Sequence, residues 1–282
     1  MKNIIYRVLK LLNRNKYTKN GNKAIKNAVN LEWYNDQLNF GDHLSTVVYK
    51  YMLSERGLTE SSVIDDRHTK HLMAIGSILG GSGDFDATVW GSGIRNFSSV
   101  KGLCIKRLYQ KLDVRAVRGP FTRDALVQCG YKCPDVYGDP AIIMPRIYNP
   151  QIKNRKGTVL ILHYLTDISA FDDLSNVTLL DIRTNDYKTF IDTIVSADRV
   201  ISSSLHGIIL AETYGVPAVF LSKGIESEVL KFYDWYYSTD RRDVKVAMTI
   251  EEAMAMTPMP LPELSEMRQK LIDAFPYDLW GI

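Results

Sequence analysis

No apolar run in the 282-residue sequence is long enough to cross a bilayer, and its opening residues show no cleavage-site pattern. A cytoplasmic protein is therefore expected. Cysteine is scarce: Cys104, Cys129 and Cys133 are odd in number and lack the paired spacing of a zinc site. They predict free, buried or half-buried thiols rather than a disulfide framework. Residues 1–26 contain no acid but eight Lys or Arg. As the whole chain carries only +3, the remainder is acidic by five charges. No basic patch with interleaved aromatics recurs further on, so nucleic acid is not an expected partner. No repeat of solenoid period occurs either.

What is present is a globular composition, 45% apolar and 24% charged, in a chain long enough for two domains. Strand candidates at 31–34, 72–75, 88–90 and 113–117 precede a polar, basic stretch, 149–156, with Pro150 near its start and Gly157 just past its end. Further candidates at 158–162, 176–182 and 199–202 come after it. Helical apolar spacing alternates with these runs at 43–53, 121–128, 187–196 and 205–214. Strands alternating with helices predict an α/β chain with parallel sheets in both halves. The expected divisions are a basic head (1–26), a first Rossmann-like domain (27–150) and a second with C-terminal helices (151–282). The last amphipathic stretch, 263–275, is expected to pack back across the first domain. In the head, Ile4, Ile5, Val8, Leu9, Leu11 and Leu12 recur near helical spacing beside Lys2, Arg7, Lys10 and Arg14. This segment either lies on an anionic membrane surface or packs on the body as a solvated helix.

The stretch DRVISSSLHGIILAETYGVPAVFL, 198–221, reads as strand, tight turn, helix and strand. In an open parallel sheet the turn after a strand lines the ligand crevice, and free amides at the next helix start favour an anion. Ser203, Ser204, Leu205, His206 and Gly207 fall there. His206 is placed to touch a bound anion and move a proton, or else is a structural residue of a capped helix. The same pattern recurs earlier, where Phe40-Gly41-Asp42 leads into a helix; Gly41 permits close approach and Asp42 is an N-cap or a catalytic carboxylate. Arg118 and Arg123 flank a helix start and suit an anion. Asp139 sits in Gly-Asp-Pro turn chemistry, and His163 ends a strand facing the same expected crevice as His206. The aromatics at 232–237 are core packing or a sugar platform. No ligand cluster demands a metal.

Together, NFGDHLS at 39–45, GSILGG at 76–81, VWGSG at 89–93, AVRGPFTRDAL at 116–126, CPDVYGDPA at 133–141, LHYL at 162–165, SSSLHGIILAETYGVPAVFL at 202–221 and KFYDWYYS at 231–238 resemble the polysaccharide pyruvyl transferase family. The resemblance implies two Rossmann-like domains in a glycosyltransferase-B-type arrangement, with their sheets facing a central cleft. It implies transfer of the enolpyruvyl unit of phosphoenolpyruvate onto two hydroxyls of a sugar, forming a cyclic ketal on a polysaccharide or its precursor. Phosphoenolpyruvate is then a co-substrate, and no further cofactor is expected. The acceptor is a sugar or glycan, lipid-linked if the basic head holds the protein at the inner face of a membrane. His206 would protonate the donor's methylene carbon, while Asp42 or His163 accepts a hydroxyl proton. Gly41, Arg118, Arg123, Ser203, Ser204, Leu205, Gly207 and Asp139 would line the substrate site. The family's central motif often carries an arginine directly before Leu-His, where this chain has Ser204. A nucleotide-sugar glycosyltransferase, with Glu226 and Glu228 on a ribose, and a non-catalytic glycan-binding module are the alternatives.

Overall fold

Two sheets, each built only of parallel strands, carry the chain. The structure, a computed structural model, describes residues 13–64, 69–81, 83–151, 154–171 and 177–282. The first sheet orders its strands β1 (Val29–Glu32), β2 (Lys70–Met73), β3 (Ala87–Trp90) and β4 (Leu112–Ala116) as they occur in sequence. The second places β5 (Thr158–Ile161) between β6 (Val177–Leu179) and β7 (Arg199–Ser202), with β8 (Ala218–Leu221) and β9 (Val246–Ala247) beyond β7. Leu31 pairs with Leu72 in one sheet and Leu160 with Ile201 in the other. Every residue of β3, β5 and β8 is buried, as required where helices cover both faces of a parallel sheet.

The helices are α1 (Phe40–Ser54), α2 (Phe97–Lys106), α3 (Pro120–Gln128), α4 (Tyr187–Val195), α5 (Leu205–Thr213), α6 (Leu230–Ser238), α7 (Ile250–Ala255) and α8 (Ser265–Asp273). Helix α1 begins three residues before the apolar spacing because Asn39 caps it, accepting from the Gly41 amide at 3.2 Å. The sequence gives α2 little signal, since it buries only Ser99 and Leu103 and exposes Phe97. Helix α5 is the reverse case. All its residues from Leu205 to Glu212 are buried, so the apolar surface runs round it rather than along one stripe.

One core joins the helices of both sheets. Phe40 of α1 stacks on Phe190 of α4 with ring centroids 3.9 Å apart. The 3-10 helix Pro140–Arg146, which follows Asp139 of the Gly-Asp-Pro turn, is buried from Pro140 to Met144 and packs against both α1 and α5. Helix α8 returns to the first sheet, as its sequence suggested. There the Trp90 indole donates to the Leu271 carbonyl at 2.8 Å, and the Arg268 side chain donates to the Ile142 carbonyl at 2.7 Å.

The thiol expectation needs correction. Cys104 on α2 and Cys129 at the end of α3 form a disulfide, with Cα atoms 4.6 Å apart. The packing of α2 beside α3 brings them together, which residue count cannot reveal. Cys133 is free and half-buried, and burial pushes its thiol up to about 12.

Most of the apolar head segment, residues 1–12, lies outside the described residues. The arm after it is docked on the body, with Arg14 bound to Asp86 by two hydrogen bonds of 3.0 and 2.8 Å. Among the described residues no helix is long and apolar enough to cross a membrane.

Candidate functional site

Helices α1 and α5 begin at the same place, a solvent-open recess of about 830 Å³. Asn39 and Asp42 reach it from α1's start, and Ser204, Leu205 and His206 from α5's. The Ser204 side chain makes no cap hydrogen bond, so the first-turn amides of α5 remain available to a ligand. Gly207 sets α5 close on β7, because a Cβ there would overlap Ser202 Oγ. Ser203 lies behind the wall, fully buried, its hydroxyl accepting from the His163 amide at 2.9 Å.

His206 is 8% exposed, with its ring against Gly41; a Cβ on residue 41 would overlap the imidazole. Its Nε2 is buried and makes no hydrogen bond, while the Asp139 carboxylate stands 3.4 Å away. That distance permits charge pairing without hydrogen-bond alignment. Asp139, 1% exposed, is itself fixed by the Ala141 amide at 3.0 Å.

Asp42 is also buried, and its Oδ1 lies over Gly76, whose φ of 118° and lack of a Cβ allow the approach. Burial raises its carboxyl to about 6, with the charges of His206 and Lys231 pulling the other way. His163 is lowered to about 4, first by burial and then by the cations Lys231 and Arg95, against the opposing pull of Glu228. At neutral pH Asp42 is therefore largely ionised and His163 neutral, so each can accept a proton.

Arg118 and Arg123 do not line the recess. The anion at the start of α3 is the chain's own Asp234, which accepts from the Thr122 amide at 3.0 Å, from the Thr122 hydroxyl at 2.6 Å and from Arg118 Nε at 3.1 Å. Arg118 spends its other nitrogens on Ser77 Oγ and the Ile94 carbonyl, at 2.7 and 2.5 Å. It thus braces the loop behind the recess. Arg123 pairs with the exposed Asp135 at 2.5 Å.

The recess cations are ones the motif spacing does not single out. Arg95 lines it and has no carboxylate partner among the described residues. Lys231 lines it at 2.5 Å from Glu228; burial lowers its ammonium, with Glu228 opposing. Tyr34 and Tyr164 both line the recess, and their rings form a tilted pair with centroids 6.0 Å apart. Arg95 was discoverable as the first cation after GSG at a strand end, and Lys231 as the first residue of KFYDWYYS. Of the two acids considered for a ribose, Glu228 is taken by Lys231, and Glu226 accepts from the Gly224 amide at 2.9 Å. No cluster of metal-ligating residues occurs among the described residues.

The fold and the recess define an α/β protein with a polar pocket framed by two helix starts and lined by two histidines and the buried Asp42 carboxylate. The sequence model of the family named polysaccharide pyruvyl transferase matches residues 39–223, and the chain belongs to that family. It is also 29% identical over 154 residues to an uncharacterized protein of Acanthamoeba polyphaga mimivirus, covering 48% of this chain. The chain spans about half, 51%, of that relative's length.

Proposed function

We propose that the chain transfers the enolpyruvyl unit of phosphoenolpyruvate to a sugar and closes it as a cyclic ketal. On this reading the two sheets are the halves of a glycosyltransferase-B-type arrangement, with the recess between them as the active site. The observation that carries the proposal is the setting of His206. Its ring sits where the starts of α1 and α5 meet, with Nε2 turned to buried Asp139 and the ring edge over Gly41. The Asp139 carboxylate beside Nε2 favours the protonated ring, and the ring borders the recess, so on this reading imidazolium His206 is the proton donor.

The donor's phosphate and carboxylate are bound by the α5 amides, Arg95 and Lys231. Imidazolium His206 gives a proton to the methylene carbon, which becomes a methyl group and leaves cationic character on the adjacent carbon. A sugar hydroxyl attacks that carbon and surrenders its proton to Asp42 or His163. The second hydroxyl then displaces phosphate, which leaves with the carbon–oxygen electron pair and takes up that hydroxyl's proton. Asp139 is a positioning residue that stabilises the imidazolium. The acceptor sugar rests on the Tyr34 and Tyr164 rings.

Phosphate release from phosphoenolpyruvate in the presence of acceptor glycan tests the acid assignment. His206→Gln should cut turnover at least about a hundredfold while binding of the donor changes little. Unchanged turnover would refute it.

A further inference from the structure

Lys19 lies outside the family-matched residues, in the basic arm that precedes the first strand. Its side chain is nonetheless only 6% exposed and lines the recess. The ammonium sits 4.9 Å above the Tyr34 ring and 3.5 Å from Asp36, a carboxylate that is 53% exposed. Its positive charge also acts on Asp42, deep in the site.

The arm is brought there by a set of specific bonds. Arg14 grips Asp86 through two hydrogen bonds, and Asn15 exchanges two with the same residue, Nδ2 to Oδ2 at 3.1 Å and the Asp86 amide to Oδ1 at 2.8 Å. The Asn15 carbonyl meets His71 Nε2 at 3.0 Å, and the other His71 nitrogen meets Glu32 Oε1 at 2.7 Å. The second oxygen of Glu32 accepts from the Lys19 amide at 2.8 Å, fixing the backbone at the residue in question. Beyond it, the Asn20 side chain donates to Asn35, on the loop after β1.

The recess must meet a donor carrying up to three negative charges. Lys231 is held by Glu228 at 2.5 Å, and Arg118 by Asp234. The least committed cations are Arg95 and Lys19, whose ammonium bonds only at the long distances of 3.3 Å to Asn20 Oδ1 and 3.5 Å to the half-solvated Asp36 carboxylate. We infer that residues 13–20 are a strap whose purpose is to place Lys19 in the recess as a binding cation for the donor's phosphate or carboxylate. The inference rests on the phosphoenolpyruvate reading above.

Calorimetric titration of the full chain with phosphoenolpyruvate tests it, using the wild type, Lys19→Ala, Lys19→Arg and Asp86→Ala. Lys19→Ala should weaken binding about tenfold, and Lys19→Arg should recover most of the loss. Asp86→Ala releases the strap without touching the recess; amide exchange at residues 13–24 should quicken and binding should weaken with it. Should Asp86→Ala fail to fold, the two Lys19 variants decide. A wild type that binds while Lys19→Ala binds equally well overturns the strap and leaves the donor reading standing. A wild type that does not bind phosphoenolpyruvate overturns both.

Discussion

Gly41, the second residue of α1, lies directly against the imidazole of His206, the second residue of α5, so closely that a Cβ would overlap Nδ1, Cγ and the His206 Cβ. The two helix starts are thus registered through one glycine. Gly41→Ala should displace the ring, destabilising the fold by about 1–3 kcal/mol through overpacking. Turnover should fall at least about tenfold while donor affinity falls less, because the proton donor is moved off its line of approach. Urea unfolding and steady-state kinetics on the variant check both parts.

Asp42 and His163 should pull stability in opposite directions with pH. Asp42 is raised from 3.8 to about 6, so the folded state holds an extra proton between those values, and the stability this confers is lost as pH rises through about 6. His163 is lowered from 6.5 to about 4, so its contribution is present above 6.5 and lost as pH falls toward 4. The two effects offset one another between about 4 and 6. Asp42→Asn should leave a stability that climbs with pH across that window, and His163→Gln one that declines relative to wild type. At pH 7 Asp42→Asn should be more stable than wild type, by up to about 3 kcal/mol from a shift of about two pKa units. Turnover should nevertheless fall, and denaturant titrations from pH 4 to 8 give the sign.

Asp234 satisfies Arg118 and the start of α3 at once, with both charged side chains at or below 1% exposure. Asp234→Ala should cost about 3–5 kcal/mol, since it leaves a buried guanidinium unpaired. Arg118→Ala should also unfold more easily. Any loss of donor binding in that variant should track the loss of fold, as seen by circular dichroism on the same samples.

The Cys104–Cys129 bond closes a loop with a sequence separation of 25. Reduction, or Cys104→Ser, should lower stability by about 3 kcal/mol on the loop-closure account. Thiol counting under native and denaturing conditions, with and without reductant, should give one reactive thiol before reduction and three after it.

The alternating strands, the start of α5 and the convergence of His163, Asp42 and His206 were all legible in the sequence. They arise from local signals: β-branched runs, turn residues and helical spacing, each leading to a strand's C-terminal end. Other features, the Cys104–Cys129 bond among them, were not legible. Helix α2 leaves most of its surface in solvent, so its apolar period is faint. The anion at the start of α3 comes from Asp234, 112 residues away from Thr122, a partner that local spacing cannot name. Spacing alone therefore assigns Arg118 to ligand binding, whereas its guanidinium is bonded within the protein. Lys19 and Lys231 reach the recess from an arm and a late helix, and only tertiary packing makes them neighbours of Asp42.

The most direct test of the account is calorimetric titration of the wild type and Arg95→Ala with phosphoenolpyruvate, run beside UDP and GDP. We predict saturable binding of phosphoenolpyruvate, weakened about tenfold in Arg95→Ala, with no heat from either nucleotide. Binding of a nucleotide without binding of phosphoenolpyruvate would contradict the account.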